Sequence, residues 1–190
     1  MARLYDPTTG SIFLDGRDIR SVTPAERARK IGVIPQEPFL FTGTVRDNIV
    51  YGNEDYVNCS TEQFAAVLEK SNLSSLLSRF AEGLETKVVS GGNSISLGQK
   101  QLIAFMRATL RSPELLILDE ATANIDTVTE QLLEEILAKL PPQTTKVIIA
   151  DRLNMIDKVD QIFFVNSGAI APAGSMEHAL EMLLHEKRAS

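Results

Sequence analysis

Leu115-Leu116-Ile117-Leu118-Asp119-Glu120 runs four apolar residues straight into two carboxylates. A short, uninterrupted apolar run suits a strand buried on both faces of a parallel sheet, because alternation is needed only where one face meets water. Parallel strands present ligand chemistry at their carboxyl ends. Asp119 is therefore expected at the sheet edge, placed to hold Mg²⁺, with Glu120 beside it, placed to orient a water. A buried strand that simply ends in an acidic turn accounts for the same residues, so the flanks must decide.

Upstream, Ile95-Ser96-Leu97-Gly98-Gln99-Lys100-Gln101-Leu102 leads into a helical stripe of Leu102, Ile103, Met106 and Leu110, which Ser112-Pro113 ends. A helix amino terminus carries free N–H groups and partial positive charge, so Ser96, Gly98 and Gln99 stand where a phosphate can bind. An ordinary serine cap is the plainer reading. Downstream, Ala121-Thr122-Ala123-Asn124-Ile125-Asp126 precedes a helix lined by Leu132, Leu133, Ile136, Leu137 and Leu140 and closed by Pro141-Pro142. Asp126, taken alone, reads as its cap.

The first third alternates strand and turn signals. Ser11 to Gly16 reads as a strand ending in a turn, and Thr23-Pro24-Ala25-Glu26 as a capped helix start with proline at its first position. Lys30 to Ile34 is a second strand, stopped by Pro35. From Gln36 to about Ser112 the pattern turns helical, with a capping-box candidate at Ser60-Thr61-Glu62-Gln63. Phe64, Val67 and Leu68, then Leu73, Leu76, Leu77 and Phe80, predict a pair of short helices. Lys146 to Ala150 predicts another buried strand. Gln161 to Val165, turning at Asn166-Ser167-Gly168 into Ala169-Ile170-Ala171, predicts a hairpin, and Met176 to about Glu186 a last helix.

These motifs, in this order, resemble the ATP-binding cassette ATPases, the motor domains of ABC transporters. Ser96 to Gln99 resemble the signature motif, Leu115 to Glu120 the Walker B segment, and Ala123 to Asp126 the D-loop. Gln36, followed by Glu37-Pro38-Phe39-Leu40-Phe41-Thr42-Gly43-Thr44-Val45-Arg46-Asp47-Asn48-Ile49, resembles the Q-loop, especially of exporters. The resemblance covers essentially the whole chain. It implies an α/β fold, a P-loop NTPase-like, mostly parallel sheet core with an inserted helical subdomain. The core would comprise residues 1–35 and 114–190, and the helical subdomain about 36–113.

By the same resemblance the cofactors are Mg²⁺ and ATP. Asp119 and Gln36 would contact the metal, and Glu120 would act as general base or water-orienting group. Ser96, Gly98 and Gln99 would bind the γ-phosphate of ATP held by a second cassette, and Asp126 would sit at that dimer interface. Partners would be the second nucleotide-binding domain, in a homo- or heterodimer, and the coupling helices of a transmembrane domain, with the cassette peripheral at the cytoplasmic face of a membrane.

Three departures stand out. Leu97 replaces the usual glycine of the signature motif. Asp151 stands where the family usually has the H-loop histidine; two like charges about 4 Å apart repel by roughly 4 kcal/mol at an effective dielectric of about 20. No Gly-Lys pair occurs anywhere, so there is no Walker A loop, Gly-x-x-x-x-Gly-Lys-Ser/Thr, to cradle phosphates. Met1 to Gly10 resemble the end of the helix that follows Walker A, so that loop is expected just upstream of Met1, with the N-terminal part of the core missing. The chain alone is then expected to bind and hydrolyse Mg-ATP poorly. The alternative is a non-hydrolytic module that lends its signature motif to a competent cassette.

Composition bounds the rest. At 190 residues one domain with a real core is expected. A net charge of −6 argues against a nucleic-acid partner, and so against a DNA-repair or translation cassette. Cys59 is the single cysteine, so no disulfide can form within the chain. No apolar run approaches the roughly 20 residues of a membrane span.

Overall fold

The computed structural model describes residues 3, 5–89, 95–120, 125–149, 159–166, 168–174 and 178. The chain forms two compact units, Met1–Ile149 and Ala150–Ser190.

In the first unit, β1 (Phe13–Leu14) and β2 (Arg17–Asp18) form a tight antiparallel hairpin. Its turn residues, Asp15 and Gly16, have φ of 49° and 72°, the pair of positive values that a two-residue hairpin needs. The Thr23 side chain accepts from the Glu26 amide and starts α1 (Pro24–Lys30), with proline inside the first turn. The helix passes directly into β3 (Ile31–Ile34), which Pro35 stops.

Among the described residues the central sheet has three parallel strands in the order β3, β6 (Leu115–Asp119), β7 (Thr145–Ile149). The acid-ended run forms β6 (Leu115–Asp119), in the middle, with Leu116 and Leu118 fully buried. Strand β7 (Thr145–Ile149) pairs along the whole of β6. It was expected to be buried, but its side chains are exposed or half-buried, because it has a described neighbour on one side only. A small core of Ile19, Ile31 and Leu115 lies against Ile12, Leu14, Ile117 and Val147, joining the hairpin to the sheet. Between β6 and β7 runs α5 (Thr127–Ala138), which buries Leu133, Ile136 and Leu137.

The segment between β3 and β6 is mostly helical. It contains α2 (Val45–Val50), α3 (Thr61–Lys70) and α4 (Leu97–Thr109). Capping boxes open all three: Thr44 with Asp47, Ser60 with Gln63, and Ser96 with Gln99. The second of the two short helices expected after residue 60 is a 3-10 helix, Ser74–Arg79. Its buried Leu76 and the buried Leu73 just before it are three residues apart, a spacing that a 3-10 turn satisfies as well as an α-turn. A ladder of β4 (Gly43–Thr44) and β5 (Lys87–Val88) closes this segment.

Helix α4 is buried nearly all round and lies against β3. Gly32 permits that approach: a Cβ there would stand 3.0 Å from Leu116 Cδ1, 3.1 Å from Pro113 Cγ and 3.4 Å from Ala108 Cβ. Gly32→Val is accordingly expected to destabilise the chain by about 2 kcal/mol through overpacking. A urea titration checks this; an unchanged midpoint would show that α4 can shift freely on the sheet.

In the second unit, β8 (Phe163–Asn166) and β9 (Ala169–Pro172) form the expected antiparallel hairpin. The helix expected over Met176 to Glu186 lies outside the described residues, apart from His178. Among the described residues, no helix is long and apolar enough to cross a membrane.

Candidate functional site

Strands β3 and β6 run parallel, in register from Ile31↔Leu115 to Ile34↔Leu118. Continuing that register places Gln36 opposite Glu120, just past the carboxyl ends of both strands. The Gln36 side chain bridges the gap, its Nε2 donating to Glu120 Oε2. Glu120 itself has φ of 47°, a left-handed conformation that costs a non-glycine residue about 1–2 kcal/mol. Its amide donates to Ile149 O at 2.9 Å, extending the pairing with β7 by one residue. Asp119 and Glu120 are both half-buried. Two of the sequence candidates, Gln36 and Glu120, are thus in direct contact, with Asp119 adjacent in the chain.

The other candidates meet at the start of α4. Ser96, Gly98, Gln99 and Asp126, with Arg79, Leu102, Ile125 and Thr129, line a cavity of about 380 Å³. Ser96 Oγ accepts from the Gln99 amide at 3.1 Å, and Gln99 Oε1 accepts from the Ser96 amide at 2.9 Å. The cap uses one lone pair of the serine and leaves its hydroxyl proton for another acceptor. Gln99 Nε2 donates to Arg79 O at 2.7 Å, which fixes the cavity wall. Leu97, which replaces the usual glycine, is half-buried and is not among the residues that line the cavity.

Asp126 does cap α5: its carboxylate accepts from the Thr129 amide at 3.1 Å and from the Thr129 hydroxyl at 2.7 Å. Those hydrogen bonds, with the charge of Arg79 as a smaller contribution, hold its pKa below the ordinary carboxylate value. It stays ionised at neutral pH, 3.8 Å from the Arg79 guanidinium. The residue is a cap and a cavity wall at once. Asp151 lies outside the described residues, as do Ala123 and Asn124.

Sequence reasoning missed Arg79 and Gln101. Nothing in the local pattern distinguishes Arg79 from a solvated arginine. Gln101 follows Gln99 and Lys100 in the polar start of α4, so the local pattern does not mark it as buried. It is 1% exposed and sits beneath the Gln36–Glu120 contact.

Among the described residues no three His, Cys, Asp or Glu side chains cluster as a metal cage. Asp119, with the side-chain oxygen of Gln36, offers hard oxygen donors in small number. That set fits Mg²⁺, which is held by one or two carboxylates while waters and substrate phosphates fill its other positions.

A parallel sheet with an acid-ended central strand, a glutamine at the next strand's end and a serine-capped helix facing Asp126 defines a nucleotide-binding cassette. The sequence model of the ABC transporter family matches residues 1–123, and the chain belongs to that family as an exporter-like nucleotide-binding domain with a P-loop NTPase-like α/β fold. It is 44% identical over 180 residues to the uncharacterized ABC transporter ATP-binding protein YfiC of Bacillus subtilis (strain 168), a match covering 95% of this chain and 29% of that protein. It is 38% identical over 180 residues to the mitochondrial ATP-binding cassette sub-family B member 10 of Mus musculus, covering 95% and 25%. The structure of a bacterial Atm1-family ABC exporter with ATP bound matches with a TM-score of 0.77 at 30% identity, over 97% of this chain and 31% of that one. The chain therefore spans less than a third of the length of these relatives.

Proposed function

We propose that this chain is the part of an ABC exporter that couples Mg-ATP binding and hydrolysis to transport across a membrane. The observation that carries this reading is the cavity lined by Ser96, Gly98, Gln99 and Asp126 at the start of α4. It combines free N–H groups, a serine hydroxyl and the Arg79 cation, the chemistry that receives a terminal phosphate. A second cassette would supply that phosphate.

In this reading Glu120 orients or deprotonates the attacking water, and Gln36 holds that carboxylate in place. Asp119 and Gln36 would hold Mg²⁺, which when bound neutralises phosphate charge. Phosphoryl transfer depends mainly on such positioning and charge neutralisation. Asp151 would bring negative charge where the family usually has histidine, and so would weaken hydrolysis at the chain's own site. The helical segment, about 36–113, would move against a core of 1–35 and 114–190. Its exposed Phe39 and Tyr51, packed around Phe41, would meet the coupling helices of a transmembrane domain. The domain would then lie at the cytoplasmic face of that membrane.

The specific alternative, a signature-lending module without hydrolysis of its own, uses the same cavity. Two measurements test these readings. Mg-ATP titration of the isolated chain is expected to show no binding up to millimolar nucleotide; tight Mg-dependent binding would mean that another segment cradles the phosphates. Mixing with a cassette that has its own Walker A loop is expected to raise ATPase activity, and Ser96→Arg in this chain to abolish the increase. An increase that survives Ser96→Arg would count against both readings of the cavity.

A further inference from the structure

Two residues past the last paired residues, Ile34 and Leu118, stand Gln36 and Glu120. Gln36 O and Glu120 O are both acceptors and cannot bond one another. Between them lies the Gln101 carboxamide, from the fifth residue of α4, donating through Nε2 to Gln36 O at 3.2 Å and to Glu120 O at 3.5 Å. An uncharged –NH₂ group is suited to this place, because it carries two donors without the desolvation cost of a buried ammonium.

The same side chain is 1% exposed, and among the described residues its Oε1 has no hydrogen-bond partner. Burying an unpaired carbonyl oxygen is unfavourable. A methionine of similar length would fill the space without an orphaned acceptor. What methionine lacks is the pair of donors. One of the two carbonyls they hold belongs to Glu120, whose backbone is in the left-handed region, where a non-glycine residue stays only if its surroundings fix it.

We propose that Gln101 is a positioning residue that ties the Gln36–Glu120 pair to α4. The inference rests on the nucleotide-site reading above for its functional meaning, and on geometry for its existence. Ser96 and Gln99, which wall the phosphate cavity, belong to the start of the same helix. Five residues of α-helix separate Ser96 from Gln101, a rise of about 7.5 Å. A shift of α4 when the cavity fills is thus handed directly to the backbone of Glu120 and Gln36. Occupancy of one site by the partner's phosphate would then set the carboxylate of the other.

The test uses Gln101→Met in the full chain, with amide exchange and side-chain NH₂ resonances followed by NMR. The Glu120 amide and the Gln36 side-chain NH₂ are expected to exchange about tenfold faster, while Leu116 and Leu118 keep their protection. The melting temperature is expected to move by less than about 4 °C. Unchanged exchange at Glu120 and Gln36 would overturn the proposal. So would a loss of protection spread evenly over α4 and β6 with a falling melting temperature, which is the signature of simple packing. If the variant does not fold, the unsubstituted chain still decides. Slowed exchange of the Gln101 NH₂ protons supports the tie, and solvent-like exchange refutes it. No nucleotide enters these measurements, so a failure of the ATPase reading leaves their outcome unaffected, and the reverse also holds.

Discussion

Asn48→Ala is expected to lower the unfolding free energy by about 3 kcal/mol, the largest stability loss of any single polar substitution in the helical segment. Asn48 is fully buried on α2. Its Oδ1 accepts from the Phe41 amide at 2.8 Å, and its Nδ2 donates to Phe41 O at 2.9 Å and to Thr44 O at 3.0 Å. The side chain thus completes the backbone hydrogen bonding of a stretch that has no regular ladder of its own. Arg107 of α4 grips the same place, its Nε donating to Asn48 O at 2.7 Å and its Nη1 to Phe39 O at 3.2 Å, with the Phe41 and Tyr51 rings beside the guanidinium. Burial lowers the Arg107 pKa to about 10, so it remains a cation at neutral pH. Alanine at position 48 leaves an amide and two carbonyls without their partners. Asn48→Asp is also expected to be strongly destabilising, because it keeps the acceptor for Phe41 N but turns an oxygen toward two carbonyls. Urea titrations of the three proteins check this. A loss below about 1 kcal/mol for alanine would show that other groups already satisfy the Phe41 backbone.

The elements that the sequence announced are those whose physics is local. The apolar run from Leu115 to Leu118 had to be a buried strand, and its acids had to fall at its carboxyl end, as they do. Thr23-Pro24 and Ser60-Gln63 mark helix starts because the caps that satisfy orphan amides lie within three residues of the helix. Asp126 served both readings, since its cap to Thr129 and its place on the cavity wall do not compete. What remained hidden depends on distant partners. The ladder of Gly43–Thr44 with Lys87–Val88 is two residues long on each side and too short to show a period. The burial of Gln101 and the half-burial of Arg107 follow from α4 being enclosed on nearly every face, which a single helical stripe did not reveal. The exposure of β7 follows from sheet order, which the composition of an isolated strand does not encode.

Ser96→Asp is expected to leave the fold intact while removing phosphate binding, and Ser96→Ala to do nearly the reverse. Serine at this position does two things. Its Oγ caps α4 by accepting from the Gln99 amide, and the residue lines a cavity with Gly98, Gln99, Arg79 and Asp126. Aspartate caps a helix as well as serine does, and its charge is favoured at the amino terminus by about 0.3–1 kcal/mol, so melting should be unchanged or slightly higher. Toward an incoming phosphate the same charge is repulsive, by roughly 4 kcal/mol at about 4 Å and an effective dielectric of about 20. Arg79 offsets part of this, so at least a roughly 30-fold loss of the Ser96-dependent stimulation of a competent cassette is expected, about 2 kcal/mol. Alanine sacrifices the cap, at a cost of about 1 kcal/mol in stability, yet keeps the free N–H groups of the helix start. It should therefore retain a larger share of the stimulation than aspartate does. Thermal melts and the ATPase activity of the mixture, read on all three proteins, give opposite rank orders if the cavity receives a phosphate. Stimulation that follows stability instead, with aspartate above alanine, would show that Ser96 only caps α4 and that the phosphate goes elsewhere.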